Sequence, residues 1–193
     1  ARADALAGLA GDRHRAQWQS AAAAVHDDLF ADIRPVEDKV ALPAPAEGAD
    51  ITADYNSTGL TLRRHPLALM RAELAHLGVI PGAAFKRLNH EVTAHVAGIV
   101  TMRQRPGSAK GVVFVTIEDE TGIANLIVWP HKMERYRRQV LGAHLLGVEG
   151  RLQREDIVTH VIAERVFDLS HRLGWLTAAP PNGGLQIPDG RNI

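Results

Sequence analysis

The sequence predicts a mainly β protein with helices: a five-stranded barrel, preceded by a helical segment and a Pro- and acid-rich linker. Two patterns and one ordering predict it. From Glu91 onward apolar residues recur with a period of two, as strands require, whereas from Leu67 to Leu77 they recur at helical spacing. The elements then run strand, strand, strand, helix, strand, strand within about 80 residues. That is the order of the Greek-key OB barrel, which commonly binds oligonucleotides on its second and third strands and adjoining loops.

Residues 1–30 are Ala-rich and carry Leu6, Leu9, Trp18, Val25, Leu29 and Phe30, a pattern for one or two helices. Their apolar stripe is too thin to fold alone, so they are expected to lean on a neighbour. Residues 31–50 include RPVEDKVALPAPAEGAD, whose prolines and acids predict an extended, mobile linker. Order resumes near Ile51, and residues 51–90 form a helical lead-in packing on the barrel. Within it Pro66 suits a first helical position, Leu67, Met70, Leu74 and Leu77 follow on one face, and Gly78 is a stop. A break at Pro81-Gly82 precedes a short AAFKRL turn.

The barrel itself is expected over 91–169. EVTAHVAGIVTMRQR reads as one long strand in which Gly98 marks a bulge or sharp bend. Strands follow at 112–118 and 123–129, joined by a four-residue DETG connection whose Gly122 supplies a positive φ. Pro130 opens the helix HKMERYRRQVLG, with Met133, Tyr136 and Val140 on one face. Strands near 143–153 and 157–167 complete the barrel, and residues 170–193, rich in Gly and Pro, read as a flexible tail.

Bulk properties bound the function. The 193 residues carry no net charge and have a pI near 7.4, so no global basic excess announces nucleic-acid binding. Charge is nevertheless segregated: Asp27–Asp54 holds eight acids against two bases, and Leu60–His90 five bases against one acid. The absence of cysteine excludes disulfides and thiolate zinc sites. Ten scattered histidines without HxH or HExxH spacing offer no metal site. No GxSxG, P-loop or GxGxxG occurs, so neither catalytic residues nor a cofactor are expected. Nothing has the apolar length of a membrane span or the pattern of a signal peptide, making a reducing cytoplasm the default. The opening Ala in place of Met suggests a piece of something longer.

The stretch from Arg103 to Trp129 carries the candidate site. Arg103, Arg105 and Lys110, with Ser108 among the glycines, form a basic loop that could hold phosphates; a solvated hairpin tip would look similar. Strict alternation sends Val113, Val115 and Ile117 to one face, and Phe114, Thr116 and Glu118 to the other. Likewise Ala124, Leu126 and Val128 oppose Ile123, Asn125 and Ile127. The aliphatic sets line the interior, which leaves Phe114, Thr116 and Asn125 outside. There an aromatic and two hydrogen-bonding groups could meet a base, unless Phe114 packs beneath the 51–88 segment as core. Lys132, Arg135, Arg137 and Arg138 read as a solvated helix face. The EDE at 118–120 reads as a polar hairpin turn rather than a metal site, because adjacent strand residues point to opposite faces.

HPLALMRAEL, RQRPGSAKGVVFVTIEDETGIANLIVWP and ERYRRQVLGAHLLGVEGRLQRE closely resemble the C-terminal region of bacterial error-prone, DnaE-like C-family DNA polymerases. The resemblance is dense over roughly 55–170. It implies that residues 1–30 are the tail of an upstream helix-hairpin-helix region, and that the OB domain holds single-stranded DNA or primer-template beside the template path. The parent would be a DNA-directed DNA polymerase of damage tolerance, repair and replication in the bacterial cytoplasm, at the nucleoid. Its palm carboxylates and their Mg2+ ions would lie far upstream. Phe114 with Glu118-Asp119 and Gly122 also resembles the F-x-x-L-R-D-x-x-G pattern of anticodon-binding OB domains in class II aminoacyl-tRNA synthetases. That likeness implies a base stacked on Phe114 and a reading role for Asn125, although Glu118 replaces the basic residue. His26-Asp27-Asp28-Leu29-Phe30 stands where replicative relatives carry a sliding-clamp peptide, with His in place of the leading Gln.

The leading expectation is therefore a non-catalytic single-stranded DNA-binding module of an error-prone translesion polymerase. An alternative is a protein-interaction module in which Leu29 and Phe30 help dock the sliding clamp or mutagenesis accessory proteins. A tRNA-binding domain is a third.

Overall fold

A computed structural model describes residues 3–22, 42–155 and 158–177. The chain enters through two helices, α1 (Ala7–Ala10) and α2 (Arg13–Ala22), and continues with α3 (Glu47–Thr58), α4 (Pro66–His76) and α5 (Gly82–Phe85). The strands are β1 (Thr93–Gln104), β2 (Val113–Asp119) and β3 (Gly122–Val128), then β4 (Leu145–Glu155) and β5 (Val158–Asp168). Between β3 and β4 lie α6 (Pro130–Arg135) and α7 (Arg137–Gly142). One predicted helix is thus two short ones, parted at Tyr136.

The five strands close in the order β1-β2-β3-β5-β4, the OB barrel that the sequence predicts. β1 serves two partners: Thr93–Ile99 pairs with β4, and Ile99–Gln104 with β2. A strand shared in this way must bend, and Gly98 sits at the bend. A Cβ there would lie 2.8 Å from both the backbone N and O of Glu118, so only glycine permits the approach. The bulge itself lies further on, between Val100 and Met102, rather than at Gly98. The β2–β3 connection is also tighter than the predicted four residues, since Asp119 pairs directly with Gly122 at φ +142.

The interior follows the predicted alternation. Val113, Val115 and Ile117 from β2 meet Ala124, Leu126 and Val128 from β3, all buried. Met133 and Val140 from the barrel helices and Phe85 from α5 belong to the same core. Each fully buried aliphatic side chain contributes roughly 2 kcal/mol by leaving water.

A second, smaller core joins the lead-in to the barrel. Leu67, Met70 and Leu74 of α4 pack with Val79, Ala97 and Leu145, and Leu169, Leu173 and Leu176 close over them. Two expected boundaries change as a result. Residues 170–176 form a 3-10 helix against α3 and α4 instead of starting a flexible tail. The helix α3 begins at Glu47, inside the stretch read as linker. Residues 23–41, including Leu29 and Phe30, and residues 178–193 lie outside the described residues.

The segregated charges partly cancel in space. Arg13, 3 % exposed, donates to the Asp50 carbonyl at 2.9 Å and to the Asp54 carboxylate. Arg63 pairs with Asp4 at 2.8 Å and Asp50 at 3.0 Å, and Arg64 with Glu47. The N-terminal helices therefore lean on a neighbour, as expected: α2 is tied to α3 through ion pairs, while Leu9 and Trp18 stay exposed.

Candidate nucleic-acid interface

Cross-strand pairing lays the outer face of the barrel out in rows. One row runs Met102, Thr116, Asn125, His160 across β1, β2, β3 and β5. Its neighbour runs Gln104, Phe114, Ile127, Ile162. Residues paired across strands share a face, so Phe114, Thr116 and Asn125 lie together as predicted. All three are half-buried, and Phe114 belongs to neither apolar core. The Thr116 hydroxyl lies 3.2 Å from Asn125 Oδ1 and donates to it, which leaves the Asn125 amide nitrogen for another acceptor. Thr101 donates to the Thr116 carbonyl at 3.3 Å and ties the bulge to this row.

The bulge decides which side chains of β1 join the face. Val100 pairs with Ile117 and shares its inward side, whereas Met102 pairs with the outward Thr116. Strict alternation would have kept Met102 inside with Val100. The extra residue flips the parity, sending Met102 out, 50 % exposed, and setting Arg103, itself still exposed, in register with the inward-facing Val115.

Arg103 consequently leaves the face that carries Phe114. Its Nε donates to the Val140 carbonyl at 2.7 Å, and another guanidinium nitrogen donates to the Ala143 carbonyl. These carbonyls end α7, where a cation is favourable. Burial lowers the Arg103 pKa from its ordinary value, yet a guanidinium stays charged at neutral pH. Arg105, Ser108 and Lys110 remain in the connecting loop, all exposed. A 3-10 turn over Gly107–Ala109 and a left-handed Lys110 at φ +47 shape it. Neither Arg105 nor Lys110 meets a carboxylate among the described residues. On α6 and α7, Arg135, Arg137 and Arg138 are exposed, Arg135 lying 5.4 Å over the Tyr136 ring, while Lys132 donates to the Glu164 carbonyl.

The three carboxylates of EDE part company. Asp119 is buried and accepts from the backbone N–H groups of Gly82 at 2.7 Å, Thr121 at 2.8 Å and Gly122 at 3.0 Å. Arg71 of α4 bridges it, at 3.1 Å, to Glu120. Burial pushes the Asp119 pKa up, but hydrogen bonds from Thr121 and Gly82 and the charge of Arg71 outweigh it, holding the carboxyl below its ordinary value. The turn is thus the joint between barrel and lead-in. Glu118 points outward, with no hydrogen bond or ion pair among the described residues. No group of three His, Asp or Glu side chains among those residues could hold a metal ion.

Sequence reasoning placed Ile127 on the outer side of β3 but missed Met102 and His160 as members of the face. The bulge hid the first, and the parallel β3–β5 pairing, invisible in a local pattern, hid the last.

A family model for the OB-fold nucleic acid binding domain matches residues 94–169. The chain is 52 % identical over 178 residues to the error-prone DNA polymerase of Azoarcus sp. (strain BH72), covering 92 % of this chain and 17 % of that one. It is 50 % identical over 173 residues to the error-prone DNA polymerase of Dechloromonas aromatica (strain RCB), covering 90 % and 17 %. Among solved structures, asparaginyl-tRNA synthetase from Pyrococcus horikoshii overlaps 47 % of this chain and 22 % of its own, with 21 % identity and a TM-score of 0.40. The chain thus spans about a sixth of the length of the curated relatives it matches, and over that span it is similar to bacterial error-prone DNA polymerases, with an OB-fold nucleic acid binding domain at 94–169.

Proposed function

We propose that this chain is a non-catalytic module that holds single-stranded DNA for an error-prone translesion polymerase. The observation that carries the reading is the outer face of β1, β2 and β3. There Phe114 offers a ring, Thr116 and Asn125 offer polar groups, and the adjoining loop adds Arg105 and Lys110 without competing acids. Bases stack on the ring and phosphates follow the loop, with little dependence on sequence. Ser108 adds a hydroxyl to the phosphate track. Arg103 serves the same surface indirectly, by anchoring the strand end from which the loop springs. Polymerisation, its palm carboxylates and Mg2+ belong to the remainder of the parent protein. The carboxylates most engaged here, Asp50, Asp54, Asp119 and Glu120, serve arginines instead of a metal.

Fluorescence titration with oligo-dT tests the reading. Two phosphate contacts predict log K falling against log salt with a slope of about −1.4, and a third contact at Arg103 would steepen it to about −2.1. Phe114→Ala is expected to weaken binding about tenfold, the cost of one lost stacking partner. Absence of binding at low salt overturns the proposal, and a preference for folded tRNA over a plain strand redirects it to RNA.

A further inference from the structure

Beside the binding face, α3, the loop after it and the bend of β1 enclose a cleft of about 610 Å³. Tyr55, Thr61, His65, Ile99, Thr101 and Glu118 contribute to its walls. Glu118 pairs with Ile99 and Ile123, one row beyond Thr116, and by alternation shares the face of Phe114. The cleft therefore continues the proposed DNA track. At a rise of about 3.3 Å per residue, Phe114 and Glu118 stand roughly 13 Å apart along β2, a distance that a few nucleotides cover.

The chemistry of the walls selects what can enter. Arg63, on the same wall, is already held by Asp4 and Asp50, so it offers no free cation to a phosphate. Glu118 has no hydrogen bond or ion pair among the described residues, and it lines the cleft together with the half-buried Tyr55, whose hydroxyl pKa burial and then the Glu118 charge raise. His65 Nδ1 accepts the Leu67 N–H at 3.2 Å, which leaves the ring hydrogen on Nε2. Burial lowers the His65 pKa, favouring that neutral form. A half-buried free carboxylate repels phosphate and rewards a donor. Cytosine and adenine carry such a donor in their exocyclic amines, whereas thymine presents a carbonyl at the equivalent edge.

Resting on the single-strand reading above, we propose that this cleft is a base-binding subsite for amino-bearing bases, with Tyr55 as the apolar wall and Glu118 accepting from the exocyclic amine. The lead-in helices thereby add a selective position to an otherwise permissive strand track.

Titration of the 193-residue chain with dC10, dT10 and a dC10 analogue lacking the 4-amino group tests the subsite. The expected result is dC10 binding about fivefold more tightly than the other two. Glu118→Met, which keeps length and removes the acceptor, is expected to erase that preference while dT10 still binds. The analogue arm needs no variant, so it decides the matter even if a substitution perturbs folding. Equal binding of all three oligonucleotides overturns the subsite and leaves the strand reading standing. Failure of all three to bind overturns both. A preference that survives Glu118→Met in a folded chain, or one that persists without the amine, also overturns it.

Discussion

Arg103 and Arg105 are two residues apart in sequence and have different duties. Arg103 closes the end of α7 through the Val140 and Ala143 carbonyls, whereas Arg105 projects from the loop. Arg103→Ala is expected to cost about 2 kcal/mol of stability, as lost hydrogen bonds from a charged donor do, and to leave the salt slope of DNA binding unchanged. Arg105→Glu should do the reverse: a thermal midpoint close to the parent's, and weaker binding whose salt slope is smaller by about 0.7. Urea denaturation and salt-dependent titration of the two variants check both. The outward set Phe114, Thr116 and Asn125 was legible in the sequence because alternation needs only local pattern. The departure of Arg103 from that outward set was not, because one extra residue before it reverses parity and nothing in the composition of VTMRQ announces a bulge.

At the scale of elements, the β2–β3 turn joins the barrel to its lead-in. Asp119 gathers backbone N–H groups from both sides of the joint, and Arg71 ties it to α4. Because the folded-state pKa of Asp119 is depressed, its contribution is complete above the unfolded value of about 4 and is lost as pH falls through the folded value. Asp54 behaves alike: burial raises its pKa, but Thr61 and Arg13 prevail and lower it. Thermal midpoints are therefore expected to fall below about pH 4. Asp119→Asn should lose about 2 kcal/mol at pH 7 and show a flatter acid profile, which calorimetry across pH 3–7 would reveal. The helix over Pro66–His76 was legible from its spacing and its Pro and Gly ends. The order at 170–176 was not, since that segment gains its structure by packing on α3, where a Cβ on Gly48 would meet the Leu176 carbonyl.

Across the whole molecule, two apolar cores meet at β1, whose Val96 faces the barrel interior and whose Ala97 faces α4. The lead-in is part of the folded unit. Leu74→Ala, deep in the second core, is expected to destabilise the chain by about 2–5 kcal/mol, measured by urea denaturation. The barrel order was readable from sequence because each strand carries its own alternation. The cancellation of segregated charge was not, because Arg63 and Arg71 find Asp50 and Asp119 only once the chain has folded. A neutral chain can still present a local basic loop, since Arg63, Arg64 and Arg71 are consumed internally while Arg105 and Lys110 are left outside. The most direct test of the strand-holding account is an amide chemical-shift map of the 15N-labelled chain titrated with dT10. The account predicts shifts concentrated over residues 102–116 and 123–127 in β1, β2, β3 and their loop. Shifts confined to the opposite face, around His95, Glu149 and Phe167, or no shifts at low salt, would contradict it.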